Sequence, residues 1–395
     1  MGSKESYFDN WAASRLDERV LDAMKPFWVD RYAVATSEFG YSLGIEARDT
    51  LEEARARIAA SLHAGSRELV FTSGSTEASN LAIRGVWRAS RQPVERTHLI
   101  VSAVEDFPVL HTARALEHEG ARVTYLPVDE FGRVDPEAVG RALCEDTLLV
   151  SVQTVNQEIG SLQPISGVAE ICHAAGVLFH TDASYAHPRV PVDVASDPID
   201  LVTISPHRIH GPRGIGALYV REGTRIRKIL EGGFQEQDLR PGSEDIASAI
   251  GFAEAVELAD CEETEKLRAL RDQAMDMLLQ IPHSRINGHP TLRAPDNANI
   301  SFRFVEGESL LLHLDLRGFA VSTGSACFSR SLEASHVILA AGGDHERAHG
   351  SVRVTLGRFN TAESVAGLAD AIKDVVGELR RISPLGKGGD DGDSV

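Results

Sequence analysis

No stretch of the sequence approaches the roughly 18 consecutive apolar residues of a membrane-spanning helix, which argues against an integral membrane protein. The first residues, MGSKESYFDN, contain no apolar h-region, so no secretory signal is expected and a cytoplasmic location is. Positive charge is in short supply: 40 Lys and Arg face 58 Asp and Glu, a formal net charge of −18. Nucleic acid or an anionic membrane as the main partner would need the opposite balance. Lysine is especially sparse, with none between Lys25 and Lys228. Cysteine is rarer still. Cys144, Cys172, Cys261 and Cys327 are too far apart for a CxxC-type metal pair, and a disulfide framework does not suit a chain of 395 residues. The first three read as reduced thiols behaving as small hydrophobes. What is present is ordinary globular material: 43% hydrophobic and 25% charged residues, in a length sufficient for two or three domains and a large core.

Strand-like apolar runs alternate with helix-like segments through the first 245 residues. ELVF meets the small-residue turn SGST and then a helical stretch, and HLIVSAV leads into VLHTARALEHEG. ARVTYLPVD, TLLVSVQTV, VLFHTD and DLVTIS continue the alternation. The pattern predicts an α/β fold with a mostly parallel sheet covered on both faces. Ligands of such sheets sit at the carboxyl ends of the strands. From Ile246 the texture changes to a long helical segment, followed by strands and helices of a smaller α+β unit. The expected organisation is a large domain over 1–245, a long helix and small domain over 246–383, and a Gly/Asp-rich disordered tail over 384–395.

The strand ends carry the chemistry. Ser75 and Thr76 of SGST either cap the following helix or join its N–H groups in binding a phosphate. Asp182 ends VLFHTD and either caps the next segment or pairs with a protonated ring nitrogen. Ser205 and His207 of SPHRIHGPRG are placed to donate to the same phosphate as SGST. His187, His207 and His210 lack the carboxylate or thiolate partners at familiar spacing that a metal site needs, so no metal is expected. Cys327 in GSACFSR lies among small residues that suit an accessible, reactive thiol, or it is a half-buried loop cysteine. Arg358 in TLGRF is either a surface arginine or a bidentate partner for a carboxylate.

Taken in order and spacing, YFDNWAAS, SGSTEASNLAIRG, VNQEIGSLQPI, FHTDASYAHPRVPVDV, SPHRIHGPRGIGALYV, GGFQEQDLRPGSE, NANISF, VSTGSACFSRSLEASHV and SVRVTLGRF resemble the NifS/IscS-type cysteine desulfurases of the class V aminotransferase superfamily. The resemblance spans nearly the whole chain. It implies the fold type I of pyridoxal-phosphate-dependent transferases, with a large domain on a mainly parallel seven-stranded sheet and a small C-terminal domain. It allows the N-terminal segment to pack on the small domain, and it implies a homodimer that passes sulfur to an acceptor or iron–sulfur scaffold protein. It places Ser75, Thr76, Ser205 and His207 on the cofactor phosphate, and Ser243 there from the partner subunit in place of a threonine. Asp182 falls on the pyridine nitrogen, Arg358 on the substrate carboxylate, and Cys327 on the cysteine that carries the persulfide.

The same resemblance exposes departures. The family's Ser-x-His-Lys reads Ser205-Pro206-His207-Arg208 here, and arginine stays protonated and forms no stable imine. Asp106 stands for the ring-stacking histidine, Tyr185 for the glutamine facing the ring oxygen, and Gln157 for an asparagine. Tyr41 replaces a histidine, and Trp11 a small polar residue. Asp106, Gln157, Tyr185 and Arg208 are thus altered positions of a cofactor site whose phosphate side is intact. The expectation is a desulfurase-like protein of sulfur transfer or iron–sulfur metabolism, degenerate at the cofactor site. Pyridoxal phosphate would be held non-covalently or not at all, with Cys327 as persulfide carrier or cluster ligand. The alternatives are an active cofactor-binding enzyme with lysine-independent chemistry and a non-catalytic partner of a true desulfurase.

Overall fold

The structure, a computed structural model, describes residues 6–37, 39–90, 96–323 and 334–382. Cys327 and the 384–395 tail lie outside the described residues. Seven strands form the main sheet: β1 (Leu69–Thr72), β2 (His98–Ser102), β3 (Arg122–Leu126), β4 (Thr147–Ser151), β5 (Leu178–Asp182), β6 (Leu201–Ile204) and β7 (Gly216–Val220). Their order is β1-β7-β6-β5-β4-β2-β3. β7 runs antiparallel to both its neighbours, and the remaining pairs are parallel. β1 therefore points the same way as β6. The segments after β1, β2, β4, β5 and β6 consequently emerge on one edge of the sheet.

These strands are nearly continuous apolar runs because both faces are covered. Leu69 and Phe71 turn to one face and Val70 to the other, and Ile100 likewise opposes Leu99 and Val101. One face packs against the helices Ser42–Ala60 and Ile246–Leu258, the other against Ser75–Ala89 and Phe107–His118. Asp106 caps the last of these through Phe107 N at 2.8 Å, with Pro108 in the first turn.

A second core surrounds a three-stranded antiparallel sheet of β8 (Ser284–Ile286), β9 (Asn297–Phe302) and β10 (Ser351–Thr355) in the order β10-β9-β8. The helices Cys261–Leu278 and Ala362–Ile382 contribute to it. Phe8 is buried in this second core, and its backbone bonds Ala320 and Thr355. The helix Ile246–Leu258 belongs instead to the core of the large sheet. The hydrophobic division therefore falls after Ala259 rather than at 246, where the sequence texture changes: an apolar helix is shared out by packing, which texture does not report.

Candidate functional site

Five strand ends bring the expected residues to one edge. After β1 the chain turns through Gly74 into the helix Ser75–Ala89. The start of β7 presses on this turn: a Cβ on Gly216 would lie 2.6 Å from Gly74 backbone, so only glycine fits there. Ser75 is buried and Thr76 exposed at the helix start. Glu77 in the first turn accepts Ser73 N at 2.6 Å and pairs with Arg240 at 3.1 Å. Ser243, three residues beyond Arg240, is exposed.

At the end of β5, Asp182 is 2% exposed and accepts Ser184 N at 2.9 Å and Ser79 Oγ at 3.3 Å. Burial pushes its carboxyl up, Ser184 pulls it back, and Asp106 and Arg208 add opposing influences. Ser205, at the end of β6, is buried and accepts Arg208 Nη1 at 3.4 Å. Burial pushes His207 down to about 3, helped by Arg208 and Arg213, so its imidazole is neutral near pH 7.

Around Arg208 the chain's own side chains form an interlocked stack. The guanidinium lies 3.7 Å from the Tyr185 ring centre and donates through Nε to Trp11 O at 2.8 Å. Tyr185 donates to Asp106 Oδ2 at 3.2 Å, and the Trp11 and Tyr185 rings are 5.2 Å apart. Trp11 in turn donates to the buried Asp296 at 3.0 Å. Trp11, Asp106, Tyr185 and Arg208 are thus one contact set.

Beside it lies a buried acidic wall. Glu105 and Glu158 are fully buried, and burial pushes their carboxyls up to about 8 and about 7. Glu105 Oε2, Glu158 Oε1 and Gln157 Oε1 have no hydrogen-bond partner among the described residues. Gln157 donates to Glu105 O at 3.4 Å, and its own carbonyl accepts Arg353 Nη1 at 3.0 Å. His336, which opens the helix His336–Ala340 just past the Cys327 segment, contacts Glu105 O at 3.1 Å.

The structure corrects one sequence expectation. Arg358 was expected to hold a substrate carboxylate, but its guanidinium already binds Asp17 (2.6 Å), Glu263 (2.5 Å) and Leu258 O (2.9 Å). Five residues earlier, Arg353 in β10 reaches the site edge between Gln157 O and Asp9 (3.1 Å), and its buried Nε has no partner among the described residues. Sequence reasoning missed Arg353. The available signal was a charged residue in the middle of a short apolar strand, SVRVT.

Comparison with known proteins follows the same line. Residues 6–368 match the family described as Aminotransferase class-V. "Cysteine desulfurase IscS 1" of Archaeoglobus fulgidus is 43% identical over 382 residues, covering 96% of this chain and 99% of that protein. The chain belongs to the class V aminotransferase family, among the IscS-type cysteine desulfurases. The solved "NIFS-like protein" superposes with a TM-score of 0.88 at 31% identity, covering 95% of this chain and 100% of that one. "SspA in complex with cysteine" superposes at 0.80 and 30% identity, over 90% and 100%. The fold is therefore the type I fold of pyridoxal-phosphate-dependent transferases. Class V aminotransferases and cysteine desulfurases use that cofactor. Among the described residues no helix is long and apolar enough to cross a membrane, and no group of His, Cys, Asp and Glu forms a metal cluster.

Proposed function

We propose that this desulfurase-family protein handles sulfur without a lysine-bound cofactor, with Cys327 as the sulfur-carrying thiol. The observation that carries the reading is Arg208, which the resemblance aligns with the family's lysine and whose guanidinium stacks on Tyr185 at 3.7 Å. Guanidinium remains protonated and forms no stable imine. Its distance from the Tyr185 ring is a cation–π stacking distance. Asp182, the natural partner of a ring cation, already feels the fixed positive charge of Arg208. The phosphate side is a better match: Ser75, Thr76, Ser205 and the neutral His207 suit a phosphate. A ring-bearing cofactor would therefore meet hydroxyls at one end and a filled, cationic stack at the other, and these residues do not fit it.

Arg353 is the residue we assign to an amino-acid carboxylate, and cysteine is the ligand that the SspA complex suggests. Trp28, Tyr32, Phe39 and Phe234 are exposed large apolar side chains, which supports a homodimer as the working form. A sulfur acceptor or iron–sulfur scaffold protein is the expected partner. The retained hydroxyls favour one alternative, non-covalent cofactor binding with residual activity.

An absorbance titration with pyridoxal phosphate followed by L-cysteine tests the reading. The wild type is expected to hold no chromophore through desalting and to release no alanine, while Arg208→Lys gains a retained chromophore. Stable cofactor retention with alanine release by the wild type would overturn it.

A further inference from the structure

We infer that His180 is a positioning residue for Asp182: it directs the Ser79 hydroxyl onto Asp182 Oδ2 and so keeps the ionised form of that acid hydrogen-bonded. The inference concerns the charge of an acid in the site and does not rest on how sulfur is handled. His180 and Asp182 stand two residues apart on β5, so their side chains share one face of the sheet. β4 and β6 flank β5, and the helix Ser75–Ala89 packs across all three strands. Each of these neighbours contributes one hydroxyl: Ser151 from β4, Thr203 from β6 and Ser79 from the helix. His180 Nδ1 lies 2.8 Å from Ser151 Oγ, and its Nε2 3.0 Å from Thr203 Oγ1. Ser79 Oγ lies 3.2 Å from Thr203 Oγ1 and 3.3 Å from Asp182 Oδ2. Ser79, Ser151, His180 and Thr203 are fully buried, so these groups are matched by one another and not by solvent.

Hydrogens are the scarce element of this chain. Burial pushes His180 down to about 3, so the ring is neutral near pH 7 and carries a single N–H. The Ser79 hydroxyl also has one hydrogen, with two acceptors in reach. When the ring hydrogen is on Nε2, Ser151 donates to Nδ1, the ring donates to Thr203, and the Ser79 hydrogen goes to Asp182. When it is on Nδ1, the ring donates to Ser151 and Thr203 donates to Nε2. Thr203 then takes the Ser79 hydrogen, and Asp182 Oδ2 loses that donor. Ser184 N bonds Oδ1 at 2.9 Å in either case.

The ionised acid therefore selects the Nε2–H ring, and that ring in turn favours the ionised acid. The charged groups facing Asp182 divide. Arg208 favours the anion, whereas Asp106 and Glu105 oppose it together with burial. The Ser79 hydrogen adds to the side of Arg208. His180 thus acts on the site edge from the interior, through Thr203 and Ser79, without reaching the edge itself.

The test labels the full-length protein with nitrogen-15 in the histidine rings and carbon-13 in the aspartate carboxyls and follows both by NMR against pH. His180→Phe and Asp182→Asn identify the two signals. Above the Asp182 midpoint, the wild-type His180 ring is expected to carry its hydrogen on Nε2. Ser79→Ala and His180→Phe are each expected to raise the Asp182 midpoint by about one pH unit, a tenfold gain in proton affinity. His180→Gln, whose amide nitrogen reaches the Nε2 position and still donates to Thr203, is expected to keep the wild-type midpoint. A histidine that merely fills space would leave the midpoint the same in all three variants. An Nδ1–H ring in the wild type above that midpoint, or an Asp182 midpoint unmoved by Ser79→Ala, would overturn the inference. The ring measurement needs no variant, so it decides even where a substitution disturbs folding.

Discussion

Arg353 and Arg358 stand five residues apart in one short segment, and their surroundings divide their roles. Arg358 is the hub of an ion network with Asp17 and Glu263, all three largely buried. Arg353 spends its bonds on one backbone carbonyl and Asp9 and keeps a buried N–H unmatched. A motif cannot separate these cases, because SVRVTLGRF shows two arginines and the choice depends on which acids the fold brings up. Arg353→Met is expected to abolish detectable cysteine binding by calorimetry while leaving the fold intact at low temperature. Arg358→Met is expected to keep binding but lower stability by roughly 1–3 kcal/mol, since it removes one of the two cations on each of Asp17 and Glu263, which keep Arg19 and Arg189. The reverse pattern would return the carboxylate role to Arg358. Arg208 was legible directly from the sequence. The stack it joins was not, because Trp11, Asp106 and Tyr185 come from separate elements that meet only in the fold.

At the scale of elements, the strand–helix alternation was readable because fully buried parallel strands are short unbroken apolar runs. The less legible parts are held by polar contacts. The turn Gln235–Asp238 is one: Glu236, Gln237 and Asp238 all have positive φ. Nothing in EGGFQEQDLR announces this backbone, which for non-glycine residues is strained. The buried Glu236 holds it in place, meeting Arg55 of the helix Ser42–Ala60 in a two-bond pair at 2.6 and 2.8 Å and accepting Phe71 N at 2.7 Å. Arg55 also donates to Leu69 O at 3.0 Å and lies over the Phe71 ring. One ion pair thus fixes a helix, the first strand and the loop leading to Ser243. Glu236→Ala is expected to destabilise the protein by roughly 2–4 kcal/mol in urea melts, because it leaves the buried Arg55 guanidinium with only the half-exposed Glu52 as its anion. It should also relax the turn, read as faster proteolysis between Gly232 and Ser243. A loss below about 1 kcal/mol would mean the turn is held by something other than this pair.

For the molecule as a whole, two sets of carboxyls oppose one another as pH changes. Asp17 and Glu263 belong to the network that joins the N-terminal segment, the small domain's first helix and, through Arg189 and Asp296, the large domain. Arg19 holds Asp17 well below the usual carboxylate range, with Arg358 adding to it. Burial pushes Glu263 up, but Arg189 and Arg358 outweigh it and leave it lowered. Lowered carboxyls stabilise the folded state above the unfolded value of about 4, and that contribution is lost as pH falls further. Glu105 and Glu158 act with the opposite sign. Burial raises them to about 8 and about 7. The folded state therefore holds their protons more tightly, and stability falls as pH rises from about 4 towards those values. Glutamine mimics the protonated acid, so Glu105→Gln should remove its share of the alkaline loss. The variant is expected to be more stable than wild type by roughly 1–3 kcal/mol at pH 8 and indistinguishable from it near pH 4. Urea melts across that range check this. Equal stability at pH 8 would mean that Glu105 is ionised in the folded protein, and the wall beside Arg208 would then carry negative charge rather than protons.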